Sequence, residues 1–225
     1  MKKKVHWALT EAKGPIVAKF NITVNCHDIH TLRDRQWLND EIINFYTQLL
    51  MERANHDEQR PKIHCFNTFF YSTLSESGYA RVRRWTKRVD IFTKDLLIVP
   101  VHLGMHWCCA IVNFRRKRIE YYDSLFGSNQ HCFALLRDYL QQESLDKRKC
   151  PFDLDGWQYY EAKDIPGQAN GYDCGVFACT FAEYASRAEP FDFSQKNMKH
   201  LRAVMVYEIV SGKLLERPAT TTPFY

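Results

Sequence analysis

The sequence contains few residues that break secondary structure: nine glycines and eight prolines among 225 residues. No stretch is rich in proline, glycine or serine, and no internal repeat or low-complexity segment occurs. Such stretches mark linkers and disordered regions, so we expect none inside this chain. With 45% hydrophobic and 25% charged residues, the composition favours one globular domain over residues 1–225, or at most two small ones.

Long apolar runs are also missing. No uninterrupted stretch approaches the roughly 20 residues that a membrane-spanning helix needs. The lysines that follow Met1 lead into no apolar segment, so we expect no secretory signal. We expect Ala219 to Pro223 to form a loose tail.

Cys-x-x-Cys pairs are absent although the chain has eight cysteines. Without a signal segment or a short disulfide framework, we expect free thiols in a reducing compartment. The nearest approach to a metal motif is His27-Asp28-Ile29-His30, which lacks a fourth ligand. We therefore predict a polar turn there, no metal site and no cofactor.

The formal net charge of +5 comes largely from three basic clusters. They are Arg81 to Arg88, Arg115 to Arg118 and Lys147 to Lys149. Nucleic-acid binding would use such clusters, but solvated loops and hairpin tips produce them as well. Because Arg115 to Arg118 falls where the chain has to turn, we predict solvated turns, no nucleic acid, and a surface that suits an acidic protein substrate.

Hydrophobic periodicity predicts a central sheet flanked by helices, an α/β (α+β) fold. A helix should begin at Asn39-Asp40-Glu41, which supplies a cap and an acidic first turn. The predicted strands are Phe20 to Val24, Leu96 to Val101, Trp107 to Phe114 and Arg118 to Ser124, and the further helices are Phe133 to Gln142, Cys174 to Ala185 and Ser194 to Lys213. The strand over Trp107 to Phe114 is apolar on both faces, which predicts a central position with both sides covered.

One cysteine stands where a loop enters an apolar helical run. Cys174 follows the turn-permitting stretch Gln168 to Asp173. The unpaired N–H groups and the dipole at a helix start favour a thiolate, which lowers the pKa from about 8.5. We expect Gly175 to leave the sulfur approachable, and Cys179, within the apolar face, to be an inert core thiol.

His106 and Asp123 stand at the ends of neighbouring predicted strands. If the chain reverses near Phe114 to Lys117, the two lie nearly opposite each other, with Cβ atoms about 4.5 to 5.5 Å apart. A carboxylate could then orient an imidazole that takes the proton of a thiol. Taken singly, His106 is more often a structural histidine and Asp123 a strand-end cap; together with Cys174 they favour catalysis.

Gln168 lies six residues before Cys174. Its amide is close enough in sequence to share an oxyanion hole with the backbone N–H of the cysteine. His106, Asp123, Gln168 and Cys174 therefore predict a thiol hydrolase. Papain-like enzymes run Cys…His…Asn, the reverse order. Viral cysteine proteases on a chymotrypsin-like double barrel share the order found here, but they are nearly all strand, and three amphipathic helices argue against them.

Several motifs together resemble the sentrin/SUMO-specific proteases. They are Trp37 to Tyr46, Phe66 to Phe70, Arg84 to Lys87, Val99 to His102, His106-Trp107, Tyr121 to Ser124 and Asp173 to Gly175. The resemblance covers about Phe20 to Leu214 and is greatest to the branch that matures SUMO precursors and removes SUMO from lysines. It implies a papain-like fold with permuted order, a core over about 20–214, and a flexible tail over 215–225.

The resemblance also implies roles for individual residues. His106, Asp123 and Cys174 correspond to the triad and Gln168 to the oxyanion hole. Trp37 and Trp107 would flank a tunnel for the Gly-Gly terminus of the modifier. Asp40, Phe69, His102 and Met105 match positions that touch the modifier.

The family further implies SUMO precursors and SUMO-conjugated proteins as partners, a monomer, and a location in the nucleus, with some enzyme in the cytoplasm. Ala169 and Tyr172 depart from the family pattern, and the loop from Trp157 to Ile165 looks shortened. Three alternatives are a non-catalytic SUMO-binding module, a protease for another ubiquitin-like modifier, and an acetyltransferase effector with the same triad. The intact set of catalytic residues argues against the first.

Overall fold

Seven strands and eight α-helices form within residues 1–217, the part of the chain that the computed structural model describes. The strands are β1 (Pro15–Lys19), β2 (Ile22–Asn25), β3 (Ile63–Cys65), β4 (Leu96–His102), β5 (Trp107–Asn113), β6 (Arg118–Tyr122) and β7 (Gln158–Glu161). The helices are α1 (Lys2–Thr10), α2 (Cys26–His30), α3 (Asp40–His56), α4 (Phe70–Ser77), α5 (Tyr79–Val82), α6 (Gln130–Arg148), α7 (Cys174–Ala185) and α8 (Met198–Ser211). Short 3₁₀ turns cover Ile91–Thr93 and Gln195–Asn197.

The central element is a five-stranded mixed sheet in the order β3-β4-β5-β6-β7. The pairs β4–β5 and β5–β6 are antiparallel, and the two outer pairs are parallel. Strand β5 is the middle strand and is buried on both faces, as its apolar sequence predicts. Alternate residues of β4 and β5 join two separate cores, one with α3, α7 and α8 and the other with α4, α5 and α6.

The predicted strand over Phe20 to Val24 begins two residues late. Phe20 and Asn21 both have φ of 59° and form the tip of a hairpin between β1 and β2. Positive φ at both central residues is typical of the turns whose twist matches that of paired strands. The ring of Phe20 packs edge-on against Phe45, at 5.6 Å between centroids, which accounts for an aromatic residue at a turn.

The predicted helix start at Asn39 is confirmed. Its side chain accepts a hydrogen bond from the backbone N–H of Ile42, so Asn39 caps α3. Helix α6 is longer than the apolar pattern predicts, at both ends. Asn129 caps its start, and near its end the buried Glu143 accepts hydrogen bonds from Tyr79 and Thr86. Apolar periodicity misses a buried face that is made of polar residues.

Other boundaries also differ from the prediction. The predicted helix over 194–213 is a 3₁₀ turn followed by α8, which ends at Gly212 with φ of 63°. The segment Trp157 to Ile165 contains the edge strand β7. The predicted turn over 27–30 is instead helix α2, in which the buried Asp28 accepts from the backbone of Asn25 and the amide of Asn39.

The basic clusters lie largely at turns and helix ends. Residues 114–117 form the turn between β5 and β6, where Lys117 has φ of 49°, as predicted. Lys147 and Arg148 occupy the last turn of α6, where cations interact favourably with the helix dipole.

All eight cysteines are free thiols. Among residues 1–217, no helix is long and apolar enough to cross a membrane. The first residues of the predicted tail, 215–217, are held by the rest of the chain, because the N–H of Leu215 donates to Glu208 and Arg217 pairs with the buried Glu183 and Glu208. The rest of that tail, 218–225, lies outside the described residues.

Candidate active site

His106 and Asp123 meet at one end of the sheet. His106 stands directly before β5 and Asp123 directly after β6, and Nε2 of the imidazole lies 2.6 Å from Oδ1 of the carboxylate. Cys109 pairs with Tyr122 across the antiparallel strands β5 and β6. In this register Asp123 lies opposite Cys108. His106 therefore reaches Asp123 along the diagonal between the strands, not from the directly opposed position.

The carboxylate of Asp123 is held in one orientation by its own loop. Oδ1 accepts from the backbone N–H of Leu125 at 2.8 Å, and Oδ2 accepts from that of Gly127 at 3.0 Å. A Cβ at Gly127 would lie 2.4 Å from Oδ2, so only glycine fits there. Burial disfavours the anion, but hydrogen bonds from His106 and the two N–H groups hold the pKa of Asp123 below its ordinary value.

Cys174 is the first residue of α7 and is buried. Burial favours the neutral thiol, but hydrogen bonds from His106 and from the backbone N–H groups of Trp107 and Gly175 lower the pKa of Cys174. Since Nε2 of His106 faces Asp123, Nδ1 is the ring nitrogen left for the sulfur.

The pKa of His106 is shifted in the opposite direction to that of Cys174. Hydrogen bonds to Asp123, and then to Cys108 and Cys174, raise the pKa of His106 to about 12. A lowered thiol pKa beside a raised imidazole pKa favours a thiolate–imidazolium pair. That pair is the reactive form of a cysteine nucleophile.

The glycine after Cys174 has a packing role that the sequence did not indicate. Gly175 is buried, and a Cβ there would lie 2.9 Å from the Cβ of Leu38. Its missing side chain lets the segment before α3 pack closely against α7. Cys179 is buried on the same helix, and burial raises the pKa of its thiol to about 12, in agreement with an inert core residue.

An ion pair that the sequence did not predict fixes Asp173, the residue before Cys174. Arg202 on α8 and Asp173 are each 4% exposed and lie 2.8 Å apart. The same guanidinium donates to the backbone carbonyls of Thr31, Arg33, Gln36 and Tyr172. The sequence did contain an indication that Arg202 is buried, because it lies on the same helical stripe as Met198, Met205 and Ile209.

Gln168 is fastened to the loop that carries Asp123. Its backbone N–H donates to the carbonyl of Ser124 at 2.8 Å, and its Oε1 accepts from the Ser124 hydroxyl at 2.6 Å. Its NH₂ group donates to the backbone carbonyl of Asn170. The structure thus connects Gln168, through Ser124, to the loop of Asp123 and leaves a second amide N–H for another acceptor.

The two tryptophans of the expected tunnel are in different environments. Trp107 is buried, donates from Nε1 to the carbonyl of Leu38 at 3.1 Å, and stacks on His102 at 4.2 Å between ring centroids. Trp37, the neighbour of Leu38, is 43% exposed. Trp107 therefore anchors the segment that presents Trp37 to solvent.

The remaining predicted contact residues lie at or near the surface. Phe69 and Met105 are large apolar side chains that are 54% and 70% exposed. His102 is exposed and Asp40 is partly exposed. Exposed apolar side chains of this size are available to a protein partner.

One group of side chains resembles a metal site in composition. Within residues 1–217, the ligand atoms of His106, Cys108 and Asp123 lie within 4.8 Å of one another. The 2.6 Å separation of Nε2 and Oδ1 is a hydrogen bond. Zinc ligands at about 2.0 to 2.2 Å from one ion would stand farther apart than this, so the geometry is that of a proton-transfer pair.

Comparison with known proteins agrees with this geometry. Residues 36–214 match the family model described as the Ulp1 protease family, C-terminal catalytic domain. A sentrin-specific protease of Caenorhabditis elegans is 52% identical over 209 residues, covering 93% of this chain and 30% of that protein. Sentrin-specific protease 2 of Homo sapiens is 40% identical over 221 residues, covering 96% of this chain and 37% of that protein.

A solved structure is similar throughout its length. The C-terminal Ulp1 protease domain, crystallised with Smt3, the yeast orthologue of SUMO, has a TM-score of 0.80 and 33% identity, with 93% of both chains covered. It confirms the predicted central sheet with flanking helices. The chain spans about a third of the length of the two curated relatives. The chain belongs to the Ulp1 protease family, and residues 36–214 correspond to its C-terminal catalytic domain.

Proposed function

We propose that the protein is a SUMO-specific thiol protease. It hydrolyses the bond after the Gly-Gly terminus of SUMO, in precursors and at the isopeptide bond to a substrate lysine. The observation that carries the proposal is the line of side chains from Asp123 through His106 to Cys174 at the start of α7, in which the carboxylate lies 2.6 Å from the imidazole and the imidazole lowers the pKa of the thiol. The similar Ulp1 domain, solved with Smt3 bound, supports the choice of modifier.

Each step of the reaction follows from this line. Asp123 keeps the imidazole oriented and charged, and the thiolate of Cys174 attacks the carbonyl carbon of the last glycine. The oxyanion accepts hydrogen bonds from the backbone N–H of Cys174 and from the free N–H of Gln168. His106 then gives its proton to the departing amine.

The second half of the reaction uses the same residues. The acyl group remains on Cys174 as a thioester, and the now neutral His106 takes a proton from water. The hydroxide equivalent attacks the thioester, and SUMO leaves with a free carboxyl terminus as the thiolate of Cys174 and the imidazolium of His106 form again.

Selectivity for Gly-Gly follows from the two tryptophans. Trp107 fixes the backbone of Leu38, and Trp37 presents its indole beside it. An extended peptide that passes between aromatic rings has least room at its Cβ positions, and only glycine has none. Asp40, Phe69, His102 and Met105 provide contacts for the globular part of the modifier.

The experiment that tests this function is covalent capture. The protein is incubated separately with SUMO, ubiquitin and another Gly-Gly-ending modifier, each carrying a C-terminal vinyl sulfone. We expect an adduct with SUMO alone, and none with Cys174→Ser. An adduct with a different modifier would show a protease for that modifier, and SUMO binding without any adduct would show a binding module.

A further inference from the structure

Ser124 is buried, 1% exposed, and follows Asp123 directly. None of the reaction steps above uses it. It nevertheless makes two hydrogen bonds to one residue, Gln168: its hydroxyl donates to Oε1 at 2.6 Å, and its carbonyl accepts from the backbone N–H at 2.8 Å. The segment that carries Asp123 is thus hydrogen-bonded directly to the residue that carries the oxyanion amide.

These contacts decide which end of the Gln168 amide faces which way. The carbonyl of Asn170 can only accept, so the atom next to it is the NH₂ group. The Ser124 hydroxyl then has to donate to Oε1. A flipped amide would direct its oxygen towards the backbone carbonyl of Asn170, which cannot donate. It would also present lone pairs where the oxyanion needs a donor.

The loop that carries Ser124 is itself fixed. Both carboxylate oxygens of Asp123 accept from it, and the ammonium of Lys163 donates to the carbonyl of Phe126 at 2.8 Å. Phe126 has φ of 60°, which is uncommon for a bulky residue. Its ring lies where a Cβ on Gly167 would stand, at 2.6 Å. The loop and the segment that leads into Gln168 therefore interlock.

We propose that Ser124 is a positioning residue for the oxyanion amide. It sets the N–H side of Gln168 towards the developing charge and couples that amide to the loop of Asp123. The inference rests on the proposed function, since it assigns a support to the oxyanion donor of that reaction.

The first test is the steady-state hydrolysis of SUMO carrying a C-terminal aminomethylcoumarin. Ser124→Ala should lower kcat by about tenfold. This loss is smaller than the roughly 10²- to 10³-fold loss of kcat that follows removal of one oxyanion donor, because the amide is still present. KM should change by less than about twofold, because the transition state and not docking is affected. An unchanged kcat, or a loss confined to KM, would overturn the proposal.

A matched control separates this effect from loss of any buried serine. Ser144 is also buried and donates to the carbonyl of Cys150, beyond the end of α6 and away from the site. Ser144→Ala should keep kcat even where thermal unfolding shows lower stability. Equal losses of kcat in the two variants would mean that Ser124 acts only through the fold.

A double-mutant cycle decides whether Ser124 acts through Gln168. In the Gln168→Ala background, Ser124→Ala should have no further effect on kcat. The same fold loss in both backgrounds would overturn the inference while leaving Gln168 as oxyanion donor. If Gln168→Ala alone left kcat unchanged, both roles would be wrong, although capture of SUMO by Cys174 would still support the proposed protease.

Discussion

At the level of single residues, Cys174 and Cys179 show how position decides reactivity. Both lie on α7 and both are 2% exposed. Cys174 has the imidazole and two N–H groups around its sulfur, whereas burial is the sole cause of the shift in the pKa of Cys179. The surroundings therefore favour the thiolate form of Cys174 and the neutral thiol form of Cys179.

Cys174→Ser should abolish hydrolysis and retain SUMO binding, because a serine hydroxyl is far less acidic than this thiol. Cys179→Ser should keep kcat near the unmodified value and lower the unfolding temperature, since it buries a hydroxyl in an apolar core. Hydrolysis and isothermal titration with SUMO measure both variants. Turnover by the Cys174 variant would contradict the assignment.

The pH profile reports on Asp123. The imidazolium of His106 should persist from its ordinary pKa of 6.5 up towards about 12, while the thiolate of Cys174 forms above a lowered pKa. We therefore expect kcat/KM to rise on the acidic side as Cys174 loses its proton, and to stay level through neutral and mildly alkaline pH.

Asp123→Asn should remove that alkaline plateau. The carboxylate is the largest influence on His106, so an amide lets the pKa of the imidazole fall towards 6.5 and the charged pair disappears as the pH rises through neutrality. Activity at neutral pH should fall by about 10⁴, as in other triads. A plateau of unchanged width would show that Asp123 does not hold the proton on His106.

At the level of elements, the contact of α7 with the segment before α3 aligns the nucleophile with Trp37. Gly175→Ala would place a Cβ 2.9 Å from Leu38. Overpacking of this kind costs about 1 to 3 kcal/mol, and here it also displaces the neighbour of Trp37. We expect a lower free energy of unfolding in urea and a lower kcat/KM for SUMO.

Gly171, in the loop that leads into α7, provides the control. A Cβ there has no atom within 4 Å, and the residue does not require positive φ. Gly171→Ala should leave both stability and kcat/KM nearly unchanged. Equal effects of the two substitutions would mean that glycine is needed for backbone freedom in this loop, and not for the Leu38 contact.

The elements also show which parts of the fold are predictable. Strands with apolar residues on both faces, β4 and β5, and the capped start of α3 were predicted from local pattern. Strand β7 was missed because it is a mostly exposed edge strand without alternation. Helix α2 was missed because one of its two buried residues, Asp28, is polar, as are its partners Asn25 and Asn39. Tertiary hydrogen bonds, which no local pattern records, determine such elements.

Some residues of the candidate site could likewise be predicted from the sequence, and others could not. His106, Asp123 and Cys174 could be proposed from the sequence because their residue types and chain order match a chemical requirement, and the structure brings His106 within 2.6 Å of Asp123. Arg202 supplies no reacting atom, so its five partners became apparent only from the structure. The packing role of Gly175 became apparent only from the structure, because its neighbour Leu38 is distant in sequence.

At the level of the whole molecule, a buried acidic centre joins three parts of the chain at the end of α7 that is far from the nucleophile. Glu183 and Glu208 are each 1% exposed. Arg53 and Arg187 pair with Glu183, and Arg217 lies 2.7 Å from Glu183 and 3.4 Å from Glu208. Nine residues of helix, about 13.5 Å at 1.5 Å per residue, separate Glu183 from Cys174.

Arg217→Ala should therefore lower stability without changing the chemistry. Glu208 would lose its cation while buried, and removal of one partner of a buried pair costs about 3 to 5 kcal/mol. Arg53 and Arg187 still compensate Glu183, so we expect the free energy of unfolding in urea to fall by an amount near the lower end of this range. The kcat for SUMO hydrolysis should stay unchanged at 25 °C.

Arg83→Ala is the control, because its ion pair with Asp146 is exposed and 3.5 Å long, and such pairs contribute about 0 to 1 kcal/mol. Equal stability of the two variants would show that Arg217 is not part of the folded core, and a fall in kcat without unfolding would show that the acidic centre communicates with Cys174 along α7.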